Sequence, residues 1–152
     1  MDILERTPLD RKLLDLFSQD LSGPVLDLAC GPGQVAGYLQ RKGLDVRGLD
    51  LSERMVELAR ENFPEVDFEV GDLLHLGESE SFDALTAFYA VVHLSDRHIQ
   101  RAFHEMFAAL RTGGRLLVTF HSELLQGNPE YRILPMEKMK AALRQAGFGV
   151  EI

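Results

Sequence analysis

The chain has 152 residues, 45% hydrophobic and 26% charged, which allows one sizeable core and excludes disordered and collagen-like polymers. Its 16 Lys and Arg stand against 24 Asp and Glu, a net charge of −8, and the basic residues never cluster beyond pairs, a pattern that disfavours a nucleic-acid partner. The single cysteine excludes an intrachain disulfide and a Cys-based metal cluster; with no long apolar run and no basic-then-apolar leader pattern, a cytoplasmic protein without a membrane span is expected.

Thr7-Pro8 reads as an N-cap and first helical residue. Leu9, Leu13, Leu16, Phe17 and Leu21 recur at helical spacing, predicting an inward stripe on a helix that Ser22-Gly23-Pro24 ends. Val25 to Leu28 is a short, continuously apolar strand, followed by a glycine turn and a helix to about Lys42, with Gly43 as its cap. Asp45 to Leu49 is a second strand, ending on Asp50. Ser52 opens a helix whose inner face is Val56, Ala59 and Phe63, and Pro64 breaks it. Val66 to Val70 is a third strand, ending at Gly71-Asp72.

Phe82 to Tyr89 is a fourth strand. Ser95 caps a helix with Ile99, Phe103, Met106, Phe107 and Leu110 on one side. The turn Thr112-Gly113-Gly114 leads to a fifth strand, Arg115 to Phe120. A polar stretch, His121 to Pro135, precedes a last helix carrying Met136, Met139, Leu143 and Ala146, which stops at Gly147. Val150-Glu151-Ile152 reads as the start of a sixth strand. Strands alternating with helices imply βαβ units, a doubly wound and mostly parallel sheet, and a single domain over residues 1–152. Ligands of such sheets bind beyond the carboxyl ends of the strands. Asp27–Gly33, Asp50, Gly71-Asp72 and Phe88-Tyr89 should therefore share one rim.

The segment VLDLACGPGQVA (25–36) fits the G-x-G-x-x-G/A turn that seats a dinucleotide pyrophosphate on a helix N-terminus. An acid 19 residues after Gly31, Asp50, supports the same reading and with it a nicotinamide-dependent oxidoreductase. Asp27 opposes it, because a carboxylate at the end of the first strand repels a pyrophosphate and suits a ligand bearing an ammonium group. S-adenosylmethionine carries the same adenosine but continues as a sulfonium with an amino-acid tail.

VLDLACGPGQVAGYL resembles the first motif of class I S-adenosylmethionine-dependent methyltransferases. VRGLDLSERMVELAR, VDFEVGDLLHL, FDALTAFYAVVHL and MFAALRTGGRLLVTFH resemble that family's later segments in the same order, covering nearly the whole chain. The resemblance implies a Rossmann-like sheet of order 3-2-1-4-5, S-adenosylmethionine as methyl donor and S-adenosylhomocysteine as product. It places Asp50 on the ribose hydroxyls, Met55 on the following helix, and Asp72 near the adenine, with Leu51 and Leu73 over the ring faces. Gly31, Gly33 and Gly71 give the backbone close approach, and Phe88 stands where methyl group and acceptor meet. Ala29 replaces the turn's usual first glycine, a small change that binding is expected to survive.

Cys30 fits a packing role better than a nucleophile, since no base is paired with it in the sequence. His93, His98 and His104 lack the spacing of a helical metal site, so no metal is expected. His93 is the first candidate for a general base, and His121 the second. The "DPPY"-like sequence of nucleic-acid amino methyltransferases is absent, which with the negative charge favours a small-molecule acceptor. A non-catalytic S-adenosylmethionine-binding module remains a further reading. The helix from Pro8 to Asp20 could act as a lid. The family's C-terminal hairpin looks truncated here, so the exposed edge of the fifth strand is expected to be covered by residues 150–152 or by a homodimer partner.

Overall fold

The computed structural model describes residues 4, 7–122 and 132–151. Strand β1 (Val25–Leu28), buried at every position, pairs in parallel with β2 (Val46–Asp50) on one side and β4 (Phe82–Phe88) on the other. Beyond these lie β3 (Asp67–Val70) and β5 (Leu110–Thr119), both also parallel to their neighbours, so the order is β3-β2-β1-β4-β5. Among the described residues, helices α1 (Pro8–Phe17), α2 (Gln34–Arg41), α3 (Glu53–Asn62), α4 (Asp96–Ala109) and α5 (Met136–Ala146) connect or cover the strands.

Alternation along β1 divides the core into two layers. Val25 faces Leu14 of α1, Ala36 and Leu39 of α2, and Val56 and Ala59 of α3. Leu26 and Leu28 face Phe103 and Met106 of α4 and Met139 and Leu143 of α5. Each of the larger of these side chains, fully buried, contributes about 1.5–3 kcal/mol. Ser52 and Ser95 cap α3 and α4 as expected, their hydroxyls accepting from the Met55 and His98 amides at 3.3 Å.

Three expectations change. The α1 stripe is rotated: Phe17 and Leu21 do pack against the core, but Asp10 and Leu14 are the buried positions of the helix, while Leu9 is 68% and Leu16 54% exposed. Contacts outside the helix fix its rotation. Asp15 accepts from the Tyr38 hydroxyl and from Lys42, both at 2.6 Å, and Arg115 donates to the Phe17 and Gln19 carbonyls at 3.2 and 3.0 Å. The fifth strand starts earlier, at Leu110, and Thr112-Gly113-Gly114 form an irregularity inside it, where pairing jumps from Phe82–Leu110 to Ala84–Arg115. Gly113 sits at φ 81° there. Finally, Val150 and Glu151 form no strand, and Ile152 lies outside the described residues. Gly147, at φ 113°, turns the chain so that Phe148 packs edge-on against Phe107 of α4, ring centroids 5.1 Å apart, instead of running beside β5.

The predicted polar stretch after β5 falls mostly on residues 123–131, outside the described ones. Among the described residues no helix is long and apolar enough to cross a membrane.

Candidate ligand site at the strand tips

Parallel pairing brings the carboxyl ends of all five strands to one edge. Strand order reverses between β1 and β4, and the crevice at such a reversal is where these sheets take ligands. Both strands leave the crevice through a non-glycine residue with left-handed backbone, Ala29 at φ 51° and Tyr89 at φ 53°. That conformation costs an L-residue about 1–2 kcal/mol, and strain of this kind gathers at functional sites.

Asp27 is only 1% exposed. One carboxylate oxygen accepts from the Thr86 hydroxyl at 2.7 Å and the other from the Ala36 amide at 3.2 Å. Ala36 is in the first turn of α2, so Asp27 occupies one of the free N–H groups that a pyrophosphate would need. The carboxylate thus lies beneath the loop and supports it, while still opposing an anion there. Burial pushes its pKa up to about 7, against the lowering effect of the Thr86 and Ala36 hydrogen bonds; the charge of Asp50 raises it further. Burial raises the Cys30 thiol as well, followed by the charges of Asp27 and Asp50. It therefore stays protonated and unreactive.

Asp50, at the tip of β2, is fixed by two backbone donors. The Gly31 amide reaches Oδ2 at 2.8 Å and the Ser52 amide reaches Oδ1 at 2.9 Å. Each oxygen keeps a second acceptor position. A pair of vicinal hydroxyls can use both. Gly31 sits at φ +52°, and a Cβ there would meet nothing within 4 Å, so the loop is open above it. Gly33, at φ +86°, has no such space: a Cβ would lie 2.7 Å from the Phe68 ring.

Asp72 follows β3. Its Oδ1 accepts from the Leu74 amide at 2.9 Å and its Oδ2 lies 3.1 Å from His75 Nδ1. The Leu74 amide holds its pKa below the ordinary value and His75 adds to this, with burial opposing. Leu51, beside Asp50, is 72% exposed and Met55 is 37% exposed, apolar surface turned outward at the rim. Leu73 packs partly into the core. Gly71 admits Leu49, whose Cδ1 would lie 2.6 Å from a Cβ at that position.

At the other end of the rim, Phe88 is half-buried against the α1–α2 layer. The Tyr89 amide donates to the Thr119 carbonyl and lies within reach of its hydroxyl, both at 3.1 Å. Its ring stacks on His121, centroids 4.8 Å apart and planes 24° from parallel. Burial raises the Tyr89 phenol, and the nearby charge of Asp10 raises it further. His93 closes a short 3₁₀ turn, Val91–His93, and is exposed.

Sequence reasoning missed Thr86, although a lone polar residue inside an apolar strand was a usable signal. It also missed Asp10, hidden among the leucines of α1. Among the described residues no group of three His, Cys, Asp or Glu could hold a metal. A cavity of about 880 Å³ lies elsewhere, at the opposite end of β5 against Leu110, Gly113, Phe107 and Phe148, away from these acids.

Comparison with known proteins agrees with this arrangement. The model of a methyltransferase domain family matches residues 25–114. The chain belongs to the class I S-adenosylmethionine-dependent methyltransferases. A demethylmenaquinone methyltransferase of Thermotoga maritima is 36% identical to this methyltransferase domain over 121 residues, covering 78% of the chain and 51% of the relative. The ubiquinone/menaquinone biosynthesis C-methyltransferase of Campylobacter jejuni is 30% identical over 126 residues, 77% of the chain and 52% of the relative. The domain thus spans about half the length of these relatives. Among solved structures, an S-adenosylmethionine-dependent methyltransferase of Methanosarcina mazei superposes with a TM-score of 0.82 at 17% identity, over 92% of this chain and 85% of that one. That likeness concerns the fold, and it matches the observed sheet.

Proposed function

We propose that the chain binds S-adenosylmethionine along the β1–β2–β3 rim and directs its methyl group to a small-molecule acceptor beyond β4. The observation that carries this reading is Asp50, fixed by the Gly31 and Ser52 amides with one acceptor position per oxygen left for the ribose hydroxyls. Leu51 and Leu73 cover the faces of the adenine, Met55 flanks it, and Asp72 accepts from its amino group. Gly31 gives open space above the loop, and Gly33 and Gly71 keep the loop and β3 tip close-packed. Ala29 borders the methionine portion, supported from below by Asp27.

When bound, S-adenosylmethionine supplies an already activated methyl group. The protein's part is then alignment and exclusion of water. Phe88 lines the place where the acceptor approaches. For an oxygen or nitrogen acceptor a proton must leave, and His93, on the turn after β4, is the candidate base; His121, after β5, is the alternative. The relatives' names, which refer to demethylmenaquinone methylation and C-methylation in quinone biosynthesis, support a small organic acceptor over a polymer. A cytoplasmic setting belongs to the proposal, supported by the single cysteine being a buried free thiol.

Equilibrium dialysis with S-adenosylmethionine, S-adenosylhomocysteine and NAD tests the cofactor assignment. The two adenosyl compounds should compete with each other and NAD should not bind. Saturable NAD binding competed by S-adenosylhomocysteine would overturn the assignment.

A further inference from the structure

Between β3 and β4, the loop that carries Asp72 is tied to α4 by two charged side chains one helical turn apart. Arg101 donates from Nε to the Leu74 carbonyl at 2.8 Å. Glu105 accepts from the Leu76 amide at 2.8 Å and from the Gly77 amide at 3.4 Å. Arg and Glu four residues apart on a helix can pair with each other; here both are bonded to the loop backbone instead. Hydrogen bonds with one charged member are the stronger kind. Leu74 is the joint of the arrangement: its amide donates to Asp72 Oδ1 at 2.9 Å while its carbonyl accepts from Arg101. The His75 amide closes the turn on the Asp72 carbonyl at 2.9 Å. The anchor is firm, because α4 runs 14 residues and buries Phe103 and Met106, and Leu73, Leu74 and Leu76 pack against the same core.

We propose that Arg101 and Glu105 are positioning residues for nucleobase recognition, a latch that holds the 72–77 loop so that Asp72 meets the exocyclic amino group of adenine. The proposal rests on the cofactor reading above, in which Asp72 accepts from that group. Both side chains act through the loop backbone. A loop free to shift would leave the ribose to Asp50 and keep apolar cover over the ring. It would lose the one hydrogen bond that separates an amino-bearing purine from a purine without the group. The latch therefore sets selectivity for the base rather than overall affinity.

The test compares, by equilibrium dialysis, S-adenosylhomocysteine with its 6-deamino analogue, in which hydrogen replaces the adenine amino group. The wild type should bind the parent compound roughly tenfold more tightly, and Asp72→Ala should erase that ratio. Arg101→Ala and Glu105→Ala should each cut the ratio to about threefold or less while leaving affinity for the deamino analogue unchanged. Arg101→Lys and Glu105→Gln, which keep a donor and an acceptor, should restore most of it. A full ratio in both alanine variants would overturn the latch. So would an equal loss of both ligands, the mark of a merely structural role. If Glu105→Ala departs from wild-type melting, the variants at Arg101, an exposed residue, decide. If S-adenosylhomocysteine fails to bind the wild type, or Asp72→Ala leaves the ratio as it was, the assignment of Asp72 to adenine fails and takes the proposal with it. The latch alone fails when Asp72→Ala erases the ratio and the Arg101 and Glu105 variants keep it.

Discussion

At the tips of β1, β2 and β3 each of the three aspartates accepts from main-chain N–H groups, Asp27 from Ala36, Asp50 from Gly31 and Ser52, Asp72 from Leu74, with the Thr86 hydroxyl a further donor to Asp27. At the tips of β4 and β5 side chain rests on side chain, the Tyr89 ring stacked on His121. The first region is set largely by backbone geometry, with side-chain contacts from Thr86 and His75 added to it. The second can be altered by exchanging two or three residues. The contrast suits a site in which one end serves an invariant nucleoside and the other a specific acceptor.

Four predictions would break or sharpen that contrast. The largest effect is expected at Asp27. Its folded-state pKa of about 7 lies above the ordinary value of 3.8, so between those limits the folded protein holds a proton that the unfolded chain has released. Asp27's contribution to stability therefore falls as pH rises through that window and levels off above it. Asp27→Asn keeps an acceptor for Ala36 and has no charge to bury. It should match the wild type near pH 4 and be more stable at pH 8, by on the order of 3 kcal/mol. Parallel denaturation curves across pH check this, and a constant difference would show that Asp27 is not titrating.

Gly33→Ala combines a left-handed backbone with a Cβ 2.7 Å from Phe68. A stability loss of roughly 2–3 kcal/mol is expected, read as a lower urea midpoint. Asp50→Ala removes the ribose acceptor and leaves the Gly31 amide without its partner. S-adenosylmethionine affinity should drop by about 1.5–3 kcal/mol, or roughly 10- to 150-fold, and unchanged affinity in a variant of normal melting would remove Asp50 from the site. The smallest effect belongs to Ala29→Gly. Relief of strain at φ 51° is partly offset by the added freedom of the unfolded chain, so a gain of at most about 1 kcal/mol is expected, and a clear loss of melting temperature would contradict it.

The two regions also differ in how far the sequence revealed them. The first and fourth strands stand out as apolar runs, and Asp27, Asp50 and Asp72 stand out as acids near the ends of the first three. What local pattern could not reveal depends on partners distant in the chain. Rotation of α1 is set by contacts with Tyr38, Lys42 and Arg115, so its leucine stripe was only a partial guide and the burial of Asp10 went unnoticed. Pairing of Tyr89 with His121 follows from the β4–β5 register, which sets Phe88 opposite Thr119. The start of β5 depends on an irregularity that the Gly113-Gly114 pair permits but does not announce. Nor does local pattern show that Asp27 is covered; only the fold brings Thr86 and Ala36 onto it.

The central claim is that the nucleoside end of the rim is formed before any ligand arrives. A crystal structure of the chain with S-adenosylhomocysteine tests it most directly. Both ribose hydroxyls should lie within hydrogen-bond distance of the Asp50 oxygens, while the Gly31 and Ser52 amides keep the contacts of 2.8 and 2.9 Å seen here. A nucleoside bound elsewhere, or an Asp50 that must release those amides to receive the ribose, would contradict the account.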